Sequence, residues 1–211
     1  MIHTSRRTLL FSAAALALAA RTPALSQDAK KIDLTDLMTP PAEGDMSMGA
    51  DSAKVTIIEY ASASCPHCAA FNNEVFGKLK TEYIDTNKVK FIFREFPHND
   101  QAMAAFMVAR CSPKEKYFPL MDIFFKTQDK WVPDAFNQLK DIAKQSGMSE
   151  IDFEACLKNE KVAKAIFDVR NKADKSYGVT GIPTFFINGK SYDGERNFDA
   201  MKAILDPLLK S

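Results

Sequence analysis

The most specific chemistry in this sequence lies in four residues, Cys65-Pro66-His67-Cys68. Two cysteines three positions apart at the start of a helix stand about one turn from each other on one face, close enough for a disulfide. At a helix N-terminus Cys65 would face the unpaired N–H groups and the positive end of the helix dipole. Those donors favour a thiolate over a thiol, and His67 can add another donor or a positive charge. The Cys65 pKa is therefore expected to fall from about 8.5 into the range of roughly 3.5 to 7.5 found at such sites, and each unit of that fall is worth about 1.4 kcal/mol. A stabilised thiolate belongs to the reduced protein, so the oxidised pair is the less stable state and passes its disulfide to other thiols. Cys65, Pro66, His67 and Cys68 thus form the expected redox centre of a thiol oxidant. A purely structural disulfide over so short a loop would gain little chain entropy. Zinc would need a fourth ligand, which only His98 could supply, and there is no second C-x-x-C. The expectation is no metal, and no cofactor beyond the cysteine pair itself.

These residues need a frame. Residues 55–60 read V-T-I-I-E-Y, a strand, and residues 88–96 alternate with Val89, Phe91 and Phe93 on one face, a second strand ended by Pro97. Between them, residues 66–83 carry Phe71, Val75, Phe76 and Leu79 at helical spacing. From 99 to 177 every stretch has helical spacing. One helix starts near Pro119 and carries Leu120, Met121, Phe124, Phe125 and Gln128. Asp134 is expected to cap the next, Ser149 with Asp152 resembles a capping box, and Gly178 ends the last. Residues 184–187 return to strand, and Asn188-Gly189 signals a type I′ hairpin into 190–192. Phe198, Met201, Leu205 and Leu208 mark a final helix whose last turn Pro207 should disturb. Residues 27–51 show no sustained period and are expected to form an extended arm, with Met46 and Met48 as packing residues rather than copper ligands. On the first strand Glu59 shares its face with Val55 and Ile57, which aims a carboxylate at apolar side chains and should raise its pKa. An edge position in the sheet would turn it to solvent instead.

Length and charge narrow the field. The 211 residues are 46% apolar, with 28 basic against 27 acidic side chains. That is enough for a sizeable core and too balanced to attract a polyanion, which excludes disorder and nucleic-acid binding. The segment 1–26 holds Arg6, Arg7 and Arg21, no acid, and an apolar run of about a dozen residues, where a spanning helix needs roughly 20. It reads as a cleavable leader ending at Ser26. Ser5-Arg6-Arg7 fits either a twin-arginine signal or an ordinary basic n-region. Cleavage would leave a formal charge of −2. In an exported chain a cysteine pair can stay oxidised, so Cys111 and Cys156, both in the helical block, are candidates for a structural disulfide. Closing that loop would restrain the unfolded chain by about 4 kcal/mol in the entropy model. Two free buried thiols are the alternative.

In that order along the chain, Glu59 in V-T-I-I-E-Y, Cys65-Pro66-His67-Cys68, the helical block and Thr180-Gly181-Ile182-Pro183-Thr184-Phe185 resemble the DsbA-like thiol:disulfide oxidoreductases of the thioredoxin superfamily. The likeness covers most of residues 52–211. It implies an α/β architecture: a thioredoxin fold built from 52–98 and 178–211, an inserted all-helical domain at 99–177, the arm 27–51 and the leader 1–26. It implies that Pro183 is cis and faces the reactive disulfide, leaving the backbone of Ile182 to pair with an extended substrate segment. It also implies that Glu59 shuttles a proton for the buried Cys68. The protein would then be a periplasmic monomer that oxidises reduced or unfolded exported proteins through a mixed disulfide at Cys65, with a DsbB-like membrane protein to reoxidise the pair. The rival readings are a disulfide isomerase or reductase of the same fold, and a non-catalytic holding or metal-delivery protein.

Overall fold

The computed structural model describes residues 32–210. The expected leader, 1–26, and the first residues of the arm, 27–31, lie outside the described residues. No described helix is long and apolar enough to cross a membrane.

Strands β1 (Met46–Met48), β2 (Val55–Ala61), β3 (Val89–Glu95), β4 (Thr184–Ile187) and β5 (Lys190–Tyr192) form one sheet in the order β1-β3-β2-β4-β5. The central pair, β2 and β3, is parallel, with Val55 opposite Val89 and Ala61 opposite Glu95. Parallel neighbours require a crossover, and α2, residues 66–84, supplies it. It opens as Pro66–Phe71 and includes π-helical turns at Asn72–Phe76 and Lys80–Ile84. On the other side β4 pairs antiparallel with β2, and Asn188 and Gly189, both at positive φ, turn it into β5. That is the hairpin the Asn-Gly pair predicts.

The arm is more structured than its sequence suggests. Leu34–Met38 forms a short helix, α1, capped by the Asp33 carboxylate, which accepts from the N–H groups of Thr35 and Asp36. β1 then adds to the sheet, antiparallel to β3. Gly49, at φ +83, lets the chain pass so close to β3 that a Cβ there would lie 2.3 Å from the Val89 carbonyl oxygen, so only glycine fits.

Alternation along β2 sorts side chains into two cores. Val55, Ile57 and Ala61 join α2 and the helical insertion; Ile58 and Tyr60 join Leu37 of α1 on the opposite face. The insertion comprises α3 (Asp100–Cys111), α4 (Tyr117–Lys126), α5 (Gln128–Trp131), α6 (Ala135–Gln145), α7 (Glu150–Leu157) and α8 (Glu160–Tyr177). Asn99 caps α3 through the Ala102 N–H, Ser149 caps α7 through the Asp152 N–H, and Gly178 closes α8 in the left-handed region. Asp134 stands before α6 but accepts from the Asn137 side-chain amide instead of capping the backbone. Cys111 and Cys156 join α3 to α7 by a disulfide, Cα–Cα 6.0 Å. The final helix, α9 (Phe198–Lys210), runs through Pro207 to its end. Proline there removes one backbone donor, while buried Met201 and Leu205 hold the helix to the first core.

Candidate active site

Cys65 is the N-cap of α2 and Pro66 its first residue, where a missing N–H has no intrahelical partner to lose. Both Cys65 and Cys68 are thiols and both are buried. The Cys65 sulfur accepts the hydrogen bond of the Cys68 thiol. The backbone N–H groups of Cys68 and His67 and the charge of His98 add to this, outweigh the effect of burial, and bring the Cys65 pKa to about 5. Cys68 moves the opposite way. Its burial, then the hydrogen bond it gives to Cys65, then the charges of Glu59 and Cys65, push it far above the usual thiol range. At neutral pH one sulfur is an anion and its neighbour three residues on is a thiol.

Glu59, in the middle of β2, is 4% exposed and lies in register between Phe93 of β3 and Phe185 of β4. Burial, then the charge on Cys65, raises its carboxyl to about 8. A cavity of about 30 Å³, which Glu59 lines together with Asn72 and Asp122, has room for a water. The Ile182–Pro183 peptide bond is cis, and the Ile182 carbonyl oxygen lies 3.9 Å from the Cys65 sulfur, so the loop before β4 borders the reactive thiol.

His67 departs from its expected role. Its side chain is exposed, and what it gives Cys65 is its main-chain N–H. Positions 65 and 68 share a helix face and position 67 does not, so the imidazole turns to solvent. The histidine whose charge acts on Cys65 is His98, in the loop between β3 and α3, with Nδ1 2.8 Å from the Ser62 hydroxyl. The next residue, Asn99, caps α3 and accepts from the Ser64 hydroxyl at 2.9 Å. From α5, Gln128 Nε2 donates to the carbonyls of Ala63 at 2.7 Å and Cys65 at 3.0 Å. The loop that presents Cys65 is thus held from two sides. The sequence treats His98 only as a missing zinc ligand and Gln128 only as one residue of a helical stripe. Gln128 is 63 positions from Cys65 and no local pattern joins them.

Comparison with known proteins identifies the family. Residues 41–207 match a family model described as Thioredoxin. A putative protein-disulfide oxidoreductase of Rickettsia bellii (strain RML369-C) is 37% identical over 171 residues, 80% of this chain and 66% of that protein. Disulfide bond formation protein D of Bacillus subtilis (strain 168) is 25% identical over 182 residues, 81% of this chain and 80% of that protein. This chain spans between 61% and 66% of the length of the Rickettsia bellii and Rickettsia conorii relatives it matches. Among solved structures, alpha-DsbA1 of Wolbachia pipientis is 29% identical with a TM-score of 0.78, over 84% of this chain and 96% of that one. Oxidised BdbD of Bacillus subtilis is 25% identical with a TM-score of 0.67, over 82% and 97%.

Proposed function

The chain belongs to the DsbA-like branch of the thioredoxin family, and from that membership we propose that it is a periplasmic oxidase that gives the Cys65–Cys68 disulfide to exported, unfolded proteins. The observation that carries this reading is the contrast between the two sulfurs, with Cys65 stable as a thiolate and Cys68 stable as a thiol. A substrate thiolate attacks the Cys65 sulfur of the oxidised pair, the Cys65–Cys68 bond breaks, and its electrons pass to Cys68, which takes up a proton. Glu59, raised to about 8 and felt by Cys68 as a charge, is suited to hand over that proton. A second substrate thiolate then attacks the substrate sulfur of the mixed disulfide, and Cys65 departs as a thiolate. Two electrons and two protons leave the substrate; one proton stays on Cys68 and one is released. A good leaving group is one whose thiolate is stable at ambient pH, which favours this second step. A DsbB-like membrane protein would take the electrons and restore the disulfide.

Cys65→Ser tests the reading directly: oxidation of a reduced substrate should disappear, and retained oxidation would exclude the mechanism. The reduction potential of the couple separates oxidase from reductase. A couple more oxidising than the glutathione pool is expected. One as reducing as thioredoxin would make reduction or isomerisation the reaction instead.

A further inference from the structure

A cavity of about 520 Å³ lies between the arm and α8, within the roughly 300–1,000 Å³ of small-molecule sites. It shares no residue with the redox site. Its walls are largely apolar, with Pro40 and Met46 from the arm and Val162, Ala165 and Val169 from α8, but two guanidinium groups, the buried Arg94 and the nearly buried Arg110, also line it. The two differ in how fully they are used. Arg94 engages all five of its N–H donors, on Asp45, the carbonyls of Leu37 and Thr39, and the Tyr60 hydroxyl. Arg110, whose side chain is 10% exposed, gives Nε and Nη2 to the Glu95 carboxylate and one Nη1 hydrogen to the Gly44 carbonyl. One N–H on Nη1 and one on Nη2 meet no acceptor among the described residues. The Tyr60 hydroxyl, which accepts from Arg94, likewise has its own proton left to donate.

Free donors on a charged, nearly buried fork beside an apolar wall are what a carboxylate head with an apolar body requires. Glu95 already offsets the Arg110 charge, so an added anion needs a further counter-charge. At the rim, Lys161, Lys164 and Lys172 stand against two lining carboxylates, Glu43 and Asp168, so the rim itself carries the spare positive charge. Each lysine is held in an exposed ion pair, with Glu43, Asp168 and Asp36, and exposed pairs are weak and readily exchanged. We infer that this cavity binds a small amphipathic carboxylate, its chain along Val162, Ala165 and Val169 and its head on the free N–H groups of Arg110.

Decanoate is the probe, titrated into the purified protein below its micelle concentration and followed by calorimetry and by amide NMR shifts. Saturable one-to-one binding is expected, with shifts centred on Ala165 and Arg110. Decanol, lacking the charged head, should bind about tenfold more weakly or worse. Ala165→Trp fills the wall and should weaken decanoate by a similar factor while thiol oxidation is unchanged. Val162→Phe repeats the block one turn away if that variant fails to fold. Arg110→Lys keeps a cation beside Glu95 but loses the fork, and should also weaken decanoate. Absence of binding, equal binding of decanol, indifference to the filled wall, or shifts centred on Ile182 instead would each overturn the assignment.

Discussion

The two cysteine pairs of this protein stand in opposite physical situations. Cys65 and Cys68 are three residues apart at the start of α2, where the Cys68 thiol and two backbone N–H groups stabilise a broken bond. Cys111 and Cys156 are 45 residues apart, bonded across α3 and α7, with Cys156 only 4% exposed. In the entropy model a bond between residues three apart restrains the unfolded chain by about 2 kcal/mol, whereas closing the longer loop restrains it by about 4 kcal/mol. Loop length and the surroundings of the thiolate, rather than the bond itself, decide whether a pair transfers electrons or holds the fold.

Removing each pair in turn is the most direct way to break this comparison. Measured against the oxidised protein, Cys65→Ser with Cys68→Ser should lose disulfide transfer completely, with the smaller change in urea stability. Cys111→Ala with Cys156→Ala should keep transfer and lose about 4 kcal/mol of unfolding free energy. Equal stability losses for the two double variants would remove the distinction.

The pH dependence of stability sharpens the same contrast, because only the reduced form carries a titrating Cys65. Its folded pKa, about 5, lies below its ordinary value of 9. Between those values the unfolded reduced chain binds the extra proton, so the stability of the reduced form rises with pH. That contribution is complete above about pH 9 and is lost as pH falls through 5. Glu59 works in the reverse sense, its raised pKa costing stability as pH climbs toward 8; the larger part, from burial, enters both redox forms, while the part from the Cys65 charge belongs to the reduced form alone and offsets some of its gain. The melting temperature of the reduced protein minus that of the oxidised protein should therefore increase from pH 5 to pH 8. A flat difference would mean that Cys65 is not a stabilised thiolate.

How much of this was legible follows from how local each signal is. Cys65 to Cys68, the Asn188-Gly189 hairpin and the Ser149 cap are contained in a few adjacent residues, and the structure forms each of them. The burial of Glu59 was readable from alternation with Val55 and Ile57, because β2 is central. β1 was not, since three residues have no usable period and their partners, Phe91 to Phe93, lie more than forty positions away. Gln128 belongs to the same class. Its amide closes on the Ala63 and Cys65 carbonyls only after the insertion has folded over α2.

Gln128 also offers a test that reaches the redox site without touching a sulfur. Gln128→Leu leaves two carbonyls without that donor, an expected loss of about 1–3 kcal/mol if they stay dry. The Cys65 loop should loosen, and the Cys65 pKa, read from thiolate absorbance, should rise. Gln128→Glu, which cannot donate to either carbonyl when ionised, should resemble leucine rather than wild type. An unchanged pKa in both variants would make this contact purely structural.

The smallest expected effect divides the two histidines. Adjacency in sequence favours His67, yet its side chain points to solvent and its contribution is a main-chain N–H that any non-proline residue supplies. His98, held against Ser62, acts on Cys65 through its charge. His67→Ala should therefore leave the Cys65 pKa nearly where it is. His98→Gln should raise it by a fraction of a unit, the size of a single partly screened charge, and make the couple slightly less oxidising. Added salt discriminates further: a contribution from charge shrinks as ionic strength rises, whereas one from a backbone donor does not, so wild type and His98→Gln should converge at high salt while His67→Ala tracks wild type throughout. The reverse pattern, with His67 carrying the salt-sensitive shift, would return the tuning role to the residue inside the motif.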